Sequence, residues 1–405
     1  MYDAIIIGAR CAGAPVAMLL ARQGYRVLLV DKARFPADIM SGLFIHPRGT
    51  ALLKRWGVLD DVLTTGCPQL HSVTFDLGPI ELKAGFHPVD GVDFTCAPRR
   101  YLLDPILVAA AVEAGAEFRD NTTVQELLMD EDGCITGIRA RTAQGTTVTE
   151  KARIVIGADG VHSFVARTVK PEAYHVNPIL TCSYYGFFSD VTVPGPKVYS
   201  RPCRFVVCIP TNDNLMLVGA QWPIEEFARI RTDVPTHFYE LMGQIPELAT
   251  QVRQEKQVGR FIGTGQAPNF FYKPYGPGWA LVGDAGYHKD PILGQGIADA
   301  FEDAAMLAKA LTRGLSGETI MEEALAEYEQ ERNEICLPQY QIAIQFATLV
   351  PPPPDMQTLL SVIAADPEES TRYLGVLQRT VPVAEFFAPE HIATLMARAT
   401  VSLTA

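Results

Sequence analysis

The run Ala4-Ile5-Ile6-Ile7-Gly8-Ala9-Arg10-Cys11-Ala12-Gly13 decides the fold. Four successive apolar residues suit a strand buried on both faces, and the glycines after them mark a tight turn into a helix. That helix carries Ala12, Val16, Ala17, Leu19 and Leu20 and closes near Gly24, a residue type favoured just past a helix end. The next strand is Arg26-Val27-Leu28-Leu29-Val30, with Asp31 at its C-terminal end. An acidic residue about 20 positions beyond such a turn is placed to take the ribose hydroxyls of an adenosine. The turn brings backbone N–H groups to a pyrophosphate, and the helix N-terminus adds about half a positive charge. Arg10 stands where the usual Gly-x-Gly-x-x-Gly has its middle glycine. A guanidinium pairs with phosphate directly, so anion binding would persist in another form. From this turn alone, nicotinamide and flavin dinucleotides stay equally open.

Two further glycine signals narrow the choice. Gly157-Ala158-Asp159-Gly160 follows a strand at 146–156, itself preceded by one at 134–142. Gly283-Asp284 follows the buried strand Trp279-Ala280-Leu281-Val282 and precedes Pro291-Ile292-Leu293-Gly294-Gln295-Gly296. Asp284 suits the polyol linker of a flavin. Gly294, Gln295 and Gly296 open a helix spanning 296–313, whose free N–H groups would face the N1/C2=O edge of the flavin ring. Pro291 stiffens the backbone beside it. The joint spacing points to FAD.

The expected fold class is α/β: a Rossmann-like FAD-binding domain with an inserted, mainly β substrate domain and C-terminal helices. The FAD-binding part is discontinuous, over 1–70, 99–170 and 279–345, and includes a helix at 105–115. The substrate part takes 71–98 and 171–278, with aromatic and β-branched strands at 179–191, 203–210 and 214–222. Both faces of Cys203–Ile209 and of Leu215–Trp222 are mostly apolar, so this sheet should be covered on both sides. A helical stretch at 318–349 contains Pro338, which should kink or break it. Prolines 351–354 form a stiff connector within the C-terminal helical region, 346–405.

Composition excludes several classes. A net charge of −12 provides no basic field for nucleic acid. No apolar run approaches the length of a membrane span, and the N-terminus lacks the basic flank of a signal peptide. Eight cysteines show no metal-ligand spacing and are too sparse for a disulfide scaffold, which predicts buried free thiols, no metal and a cytoplasmic protein.

In order and spacing the chain resembles, over almost its full length, the FAD-dependent monooxygenases of the para-hydroxybenzoate hydroxylase fold. The order is the dinucleotide turn, Arg100 ahead of Leu103-Asp104, Asp159-Gly160, then Gly283-Asp284. It is most similar to the branch whose turn reads Gly-Ala-Arg-Cys-Ala-Gly. The resemblance implies that Gly8, Gly13 and Asp31 bind the ADP half, and that Arg100 and Asp284 contact the linker. Gly294 to Gly296 would meet the isoalloxazine, and Asp159 would serve pyrophosphate geometry and nicotinamide docking. The arginine that usually follows the second signal is displaced by one, to Arg167. The usual histidine after Asp284 is Tyr287, with His288 next to it.

The implied reaction uses NAD(P)H as a transient reductant and dioxygen as co-substrate. It hydroxylates a hydrophobic aromatic or polycyclic molecule through a flavin C4a-hydroperoxide. The catalytic candidates are Tyr184, Tyr185, Arg204 and Gln221, polar groups on the inserted strands, each weighed against a structural or surface role. His46 stands between a place at the flavin ring and a packing role before the helix that starts at Pro47. A flavin halogenase of this fold carries Trp-x-Trp-x-Ile-Pro where this chain reads Phe205-Val206-Val207-Cys208-Ile209-Pro210. Both tryptophans are absent, which argues against halogenation. A geranylgeranyl-reductase-like alkene reductase is the main alternative, because its cofactor motifs are the same. A non-enzymatic flavin-binding regulator is the third. Substrate identity and oligomeric state are not encoded in any of these signals.

Overall fold

Tyr2–Ile7 is a central strand of an eight-stranded sheet in the computed structural model, which describes residues 1–402. Ile5 and Ile6 are fully buried, as are Leu28 and Leu29 on the parallel neighbour Val27–Val30. Thr147–Gly157 pairs in parallel on the other side through its C-terminal half, and Trp279–Leu281 lies in parallel beyond it. The three glycine signals therefore sit at the carboxyl ends of three adjacent parallel strands, the end at which open α/β sheets bind ligands. Glu117–Arg119 extends the opposite side, and Thr123–Met129 with Ile135–Arg141 forms an antiparallel extension on Thr147–Gly157.

Three helices pack across this sheet: Gly13–Arg22, Arg100–Glu113 and Gly296–Ser316. The middle one starts five residues before the expected 105. Arg100 and Asp104, one turn apart, bond each other at 2.8 Å and are buried, which secures a first turn ahead of Pro105.

The second sheet has seven strands, ordered Gln257–Thr264, Thr181–Phe188, Met216–Pro223, Arg204–Pro210, Lys197–Arg201, Ser72–Asp76 and Glu81–Gly85. Its side chains alternate between faces. Cys182, Val206, Cys208, Val218 and Trp222 face outward and pack on Phe238 and Leu241 of the helix Val234–Gly243. Tyr185, Phe187, Ile209 and Leu217 face inward, toward Leu359 and Leu374. Those two leucines belong to Pro354–Ala364 and Pro367–Leu377, which Val383–Phe386 and Pro389–Ser402 follow. Both faces are thus covered, as the apolar pattern requires. A small third sheet joins Ala173–Asn177, Asn269–Tyr272 and Tyr287–His288.

Three local expectations are corrected. Met321–Ala347 runs as one helix through Pro338. Pro338 and Glu334, whose carbonyl loses its partner, are both exposed, so water takes the freed acceptor. Pro354 is the first residue of its helix rather than part of the connector, because a helix start needs no N–H there. All eight cysteines are free, but Cys203 is exposed rather than buried. Residues 403–405 of the C-terminal region lie outside the described residues. Among the described residues no helix is long and apolar enough to cross a membrane.

Candidate cofactor and substrate site

A cavity of about 900 Å³ runs from Gly8 and Asp31, past Arg100 and Asp284, to the inner face of the second sheet. At its first end, two glycine signals touch backbone to backbone. A Cβ on Gly13 would lie 1.8 Å from the Gly8 carbonyl oxygen, and one on Gly8 (φ +104°) would lie 2.4 Å from that of Ala158. No other residue fits either place. Asp31 accepts the N–H groups of Ala9 and Ala33 at 2.8 Å each, which fixes the turn to the end of the second strand.

Arg10 is not a free phosphate ligand. Its guanidinium donates to Asp104 Oδ2 at 2.5 Å and lies over the Phe35 ring. Arg100 donates to the other oxygen, Oδ1, so one fully buried carboxylate is held between two cations. The group keeps a net positive charge at the cavity wall. Asp159 accepts the Ser163 hydroxyl at 2.5 Å and the Phe164 N–H at 2.6 Å, and burial pushes its pKa up. Its carboxylate is therefore committed to the start of the helix Phe164–Val169. Arg167, nearby and exposed, donates to the His162 carbonyl.

The Gly283 N–H donates to Asp303 Oδ2 at 2.6 Å, and the Tyr328 hydroxyl donates to Oδ1 at 2.7 Å. Burial lifts the Asp303 pKa from 3.8 to about 6, against the pull of Arg332. A raised carboxyl pKa means that the folded state binds the extra proton between these values, so this contribution to stability falls as pH rises from 3.8 to about 6. The melting-temperature advantage of wild type over Asp303→Asn should shrink over that window. A difference that does not change with pH would refute the shift.

Asp284 is exposed within the cavity and makes no hydrogen bond or ion pair among the described residues. The segment Pro291–Leu293 leads through Gly294, in the left-handed conformation at φ +63°, into the helix starting at Gly296. Gln295 is buried, with its side-chain amide donating to Gln339 and to the Leu377 carbonyl. His46 donates from Nε2 to the Leu293 carbonyl at 3.0 Å, leaving Nδ1 buried without a partner. Burial and the nearby Arg48 lower its pKa to about 3, so it is neutral. His288 is half-buried against the Pro268 carbonyl. A carboxylate without a partner, an orphaned imidazole nitrogen and a free helix N-terminus around one cavity fit a polar, hydroxyl-bearing cofactor with an anionic ring edge, as FAD has. Asp284→Ala is expected to weaken FAD binding by about 1–3 kcal/mol. A variant that keeps its full flavin complement through gel filtration would show that the polyol has another partner.

The catalytic candidates separate. Gln221 and Tyr185 face inward. Gln221 donates to Thr181 Oγ1 and to Asp290 Oδ1 at 3.4 Å each. The Tyr185 hydroxyl accepts the Ser41 N–H at 3.1 Å and holds the loop that crosses the cavity. Tyr184 points outward, with its ring against Gly263 and the outer-face cluster. Arg204 is also on the outer side and is paired with Glu226 at 2.7 Å, so the structure does not bring it to the site.

Several residues that hold the site had no sequence signal. Asp290 caps Ile292 and accepts the Thr181 hydroxyl at 2.7 Å, joining the Pro291 turn to the second sheet. Below that turn, Asp299 bonds Lys289, Arg48 and Arg379, and Glu302 bonds both arginines. Arg48 and Gln339 also hold the carbonyls of Gln378 and Val376. The turn that ends the helix Pro367–Leu377 is thereby fastened to the Pro291–Gly296 segment.

A family model described as "FAD binding domain" matches residues 1–338. Kynurenine 3-monooxygenase of Salinispora tropica is 26% identical over 81% of this chain and 76% of its own length. Tryptophan 2-halogenase of Chondromyces crocatus is 24% identical over 80% of this chain and 64% of its own. The chain thus spans less than two thirds of that halogenase. Among solved structures, P. aeruginosa PqsL in complex with 2-aminobenzoylacetate has a TM-score of 0.71 at 24% identity, covering 91% of this chain and 98% of PqsL, a likeness of fold.

Proposed function

The chain belongs to the FAD binding domain family of oxidoreductases, and we propose that it is a monooxygenase that uses NAD(P)H and dioxygen to hydroxylate a hydrophobic aromatic or polycyclic molecule. The observation that carries this reading is that the three glycine signals open onto an apolar chamber within one continuous cavity. FAD, once bound, would supply the redox chemistry that links the nicotinamide as reductant to dioxygen as oxidant. The protein's own work is to hold, orient and keep dry. Asp31, Asp284 and the Arg10–Asp104–Arg100 group hold the dinucleotide. The helix N-terminus at Gly296 supports negative charge on the ring edge. Phe44, Leu374 and Leu377 close the chamber against water. The nicotinamide docks transiently, beside Asp159.

The test is incubation of purified holoenzyme with NADPH or NADH, ¹⁸O₂ and a panel of phenols and polycyclic aromatics. One ¹⁸O atom in the product is the expected result. Halogenated product when halide is added would favour the halogenase chemistry of a relative, and hydrogenation of an added alkene without dioxygen would favour a reductase.

A further inference from the structure

We propose that the substrate is uncharged and that Gln221 orients it, by accepting a hydrogen bond from a hydroxyl or amine at the end of the molecule nearest the Pro291 turn. This rests on the reading of the cavity as a substrate chamber and adds its charge and polarity.

The floor of the chamber is the inner face of four strands, and cross-strand register places its residues in rows. Ser183, Gln221 and Phe205 form the first row, nearest Asp290 and Pro291. Tyr185, Gly219, Val207 and Val198 form the second, and Phe187, Leu217 and Ile209 the third. None of these side chains is charged, and the polar ones lie in the first row except Tyr185. Its hydroxyl is already engaged by the loop at 39–41. The roof is Leu43, Phe44, Leu374 and Leu377. An apolar floor and roof favour a flat apolar body.

Cations around the chamber are paired or turned away. Lys197 lies on a floor strand, but its side chain takes the outer face with Tyr199 and is bound by Glu247 at 2.8 Å and Glu81 at 3.2 Å. Arg99 lies over the Phe187 ring at 3.8 Å and is paired with Asp38. Lys289 is bound by Asp299. A carboxylate on the substrate would enter the chamber without a partner, which is costly in an apolar site.

Of the two first-row polar groups, Ser183 and Gln221, Gln221 is the one whose orientation the protein fixes for the ligand. Its amide nitrogen is fixed by Thr181 and Asp290, both acceptors toward it, so the amide oxygen is the end without a protein donor among the described residues. The carboxylate of Asp290 is itself fixed by Thr181 and Ile292. The oxygen is therefore preorganised to accept, and a ligand donor is the complement.

The experiment is titration of oxidised holoenzyme with 2-naphthol, 6-hydroxy-2-naphthoate and naphthalene, read from the flavin absorbance change, which requires no turnover. The naphthol should bind on the order of 100-fold more tightly than the hydroxynaphthoate. Gln221→Leu should cost the naphthol about tenfold and leave naphthalene unchanged. Equal or tighter binding of the hydroxynaphthoate overturns the charge assignment. Parallel losses for naphthol and naphthalene in the variant overturn the orienting role, since a structural defect would move both. No response to any probe overturns the chamber's class of ligand. Binding as expected without ¹⁸O incorporation leaves this inference standing and refutes only the monooxygenase reading.

Discussion

Asp104→Ala should lower the melting temperature by about 5 °C and release FAD, more than any substitution at the glycine-signal carboxylates. Asp104 is completely buried and is the shared acceptor of Arg10 at 2.5 Å and Arg100 at 2.8 Å. Arg100 is itself 6% exposed. Removing the carboxylate leaves two guanidiniums side by side in a site that water barely reaches, a loss of about 3–5 kcal/mol for a broken buried pair. The damage falls on the cofactor because the helix that Arg100 begins borders the dinucleotide end of the cavity. Calorimetry together with the flavin-to-protein absorbance ratio checks both effects. Asp104→Asn keeps the volume and one acceptor, so it should fall between wild type and alanine. An alanine variant that melts within about 2 °C of wild type would show that the two arginines find other acceptors.

Much of the fold was legible because its signals are local. Ala4 to Ile7 must be buried on both sides, and Gly8 and Gly13 must lack side chains where two backbones meet. Asp31 and Asp284 follow strand ends at fixed distances. The polar groups that hold the site together were not legible, because their partners are remote in sequence. Arg10 and Asp104 are 94 residues apart, Thr181 and Asp290 are 109 apart, and Arg48 and Asp299 are 251 apart. Nothing in the spacing of one chain encodes such pairs.

Two of the four catalytic candidates, Tyr184 and Arg204, point away from the site for a different reason, one that the sequence already contained. Side chains on a strand alternate, so Arg204 shares its face with Val206 and Cys208, and Tyr184 shares its face with Cys182. Recognising Phe205, Val207 and Ile209 as the inner set would have removed both candidates and kept Tyr185 and Gln221. Pro338 misled because the rule against interior proline describes a cost, and an exposed carbonyl lets water reduce it.

The second large effect is expected at the charge cluster beneath the Pro291–Gly296 segment. Asp299 faces three cations: Arg48 at 2.5 Å, Arg379 at 3.5 Å and Lys289. Burial alone would raise its pKa, but these three hold it well below the usual carboxylate range. Asp299→Ala leaves Glu302 as the one carboxylate for three positive groups, and Glu302 bonds only the two arginines. Lys289 keeps the Tyr287 hydroxyl and nothing of opposite charge. A destabilisation of about 3–5 kcal/mol should follow. Its pH dependence identifies the cause. Burial already lowers the Lys289 pKa in wild type, and loss of its anion lowers it further. The unfolded variant then binds a proton that the folded one lacks, so its stability should climb as pH rises toward the ordinary lysine value of 10.5. Adding Lys289→Met should abolish that climb and recover much of the loss, because an apolar side chain of similar length needs no counter-charge. If the double variant is as unstable as Asp299→Ala at every pH, Arg48 and Arg379 are the cations that require Asp299, and the fastening of the C-terminal turn to the cofactor segment depends on them alone.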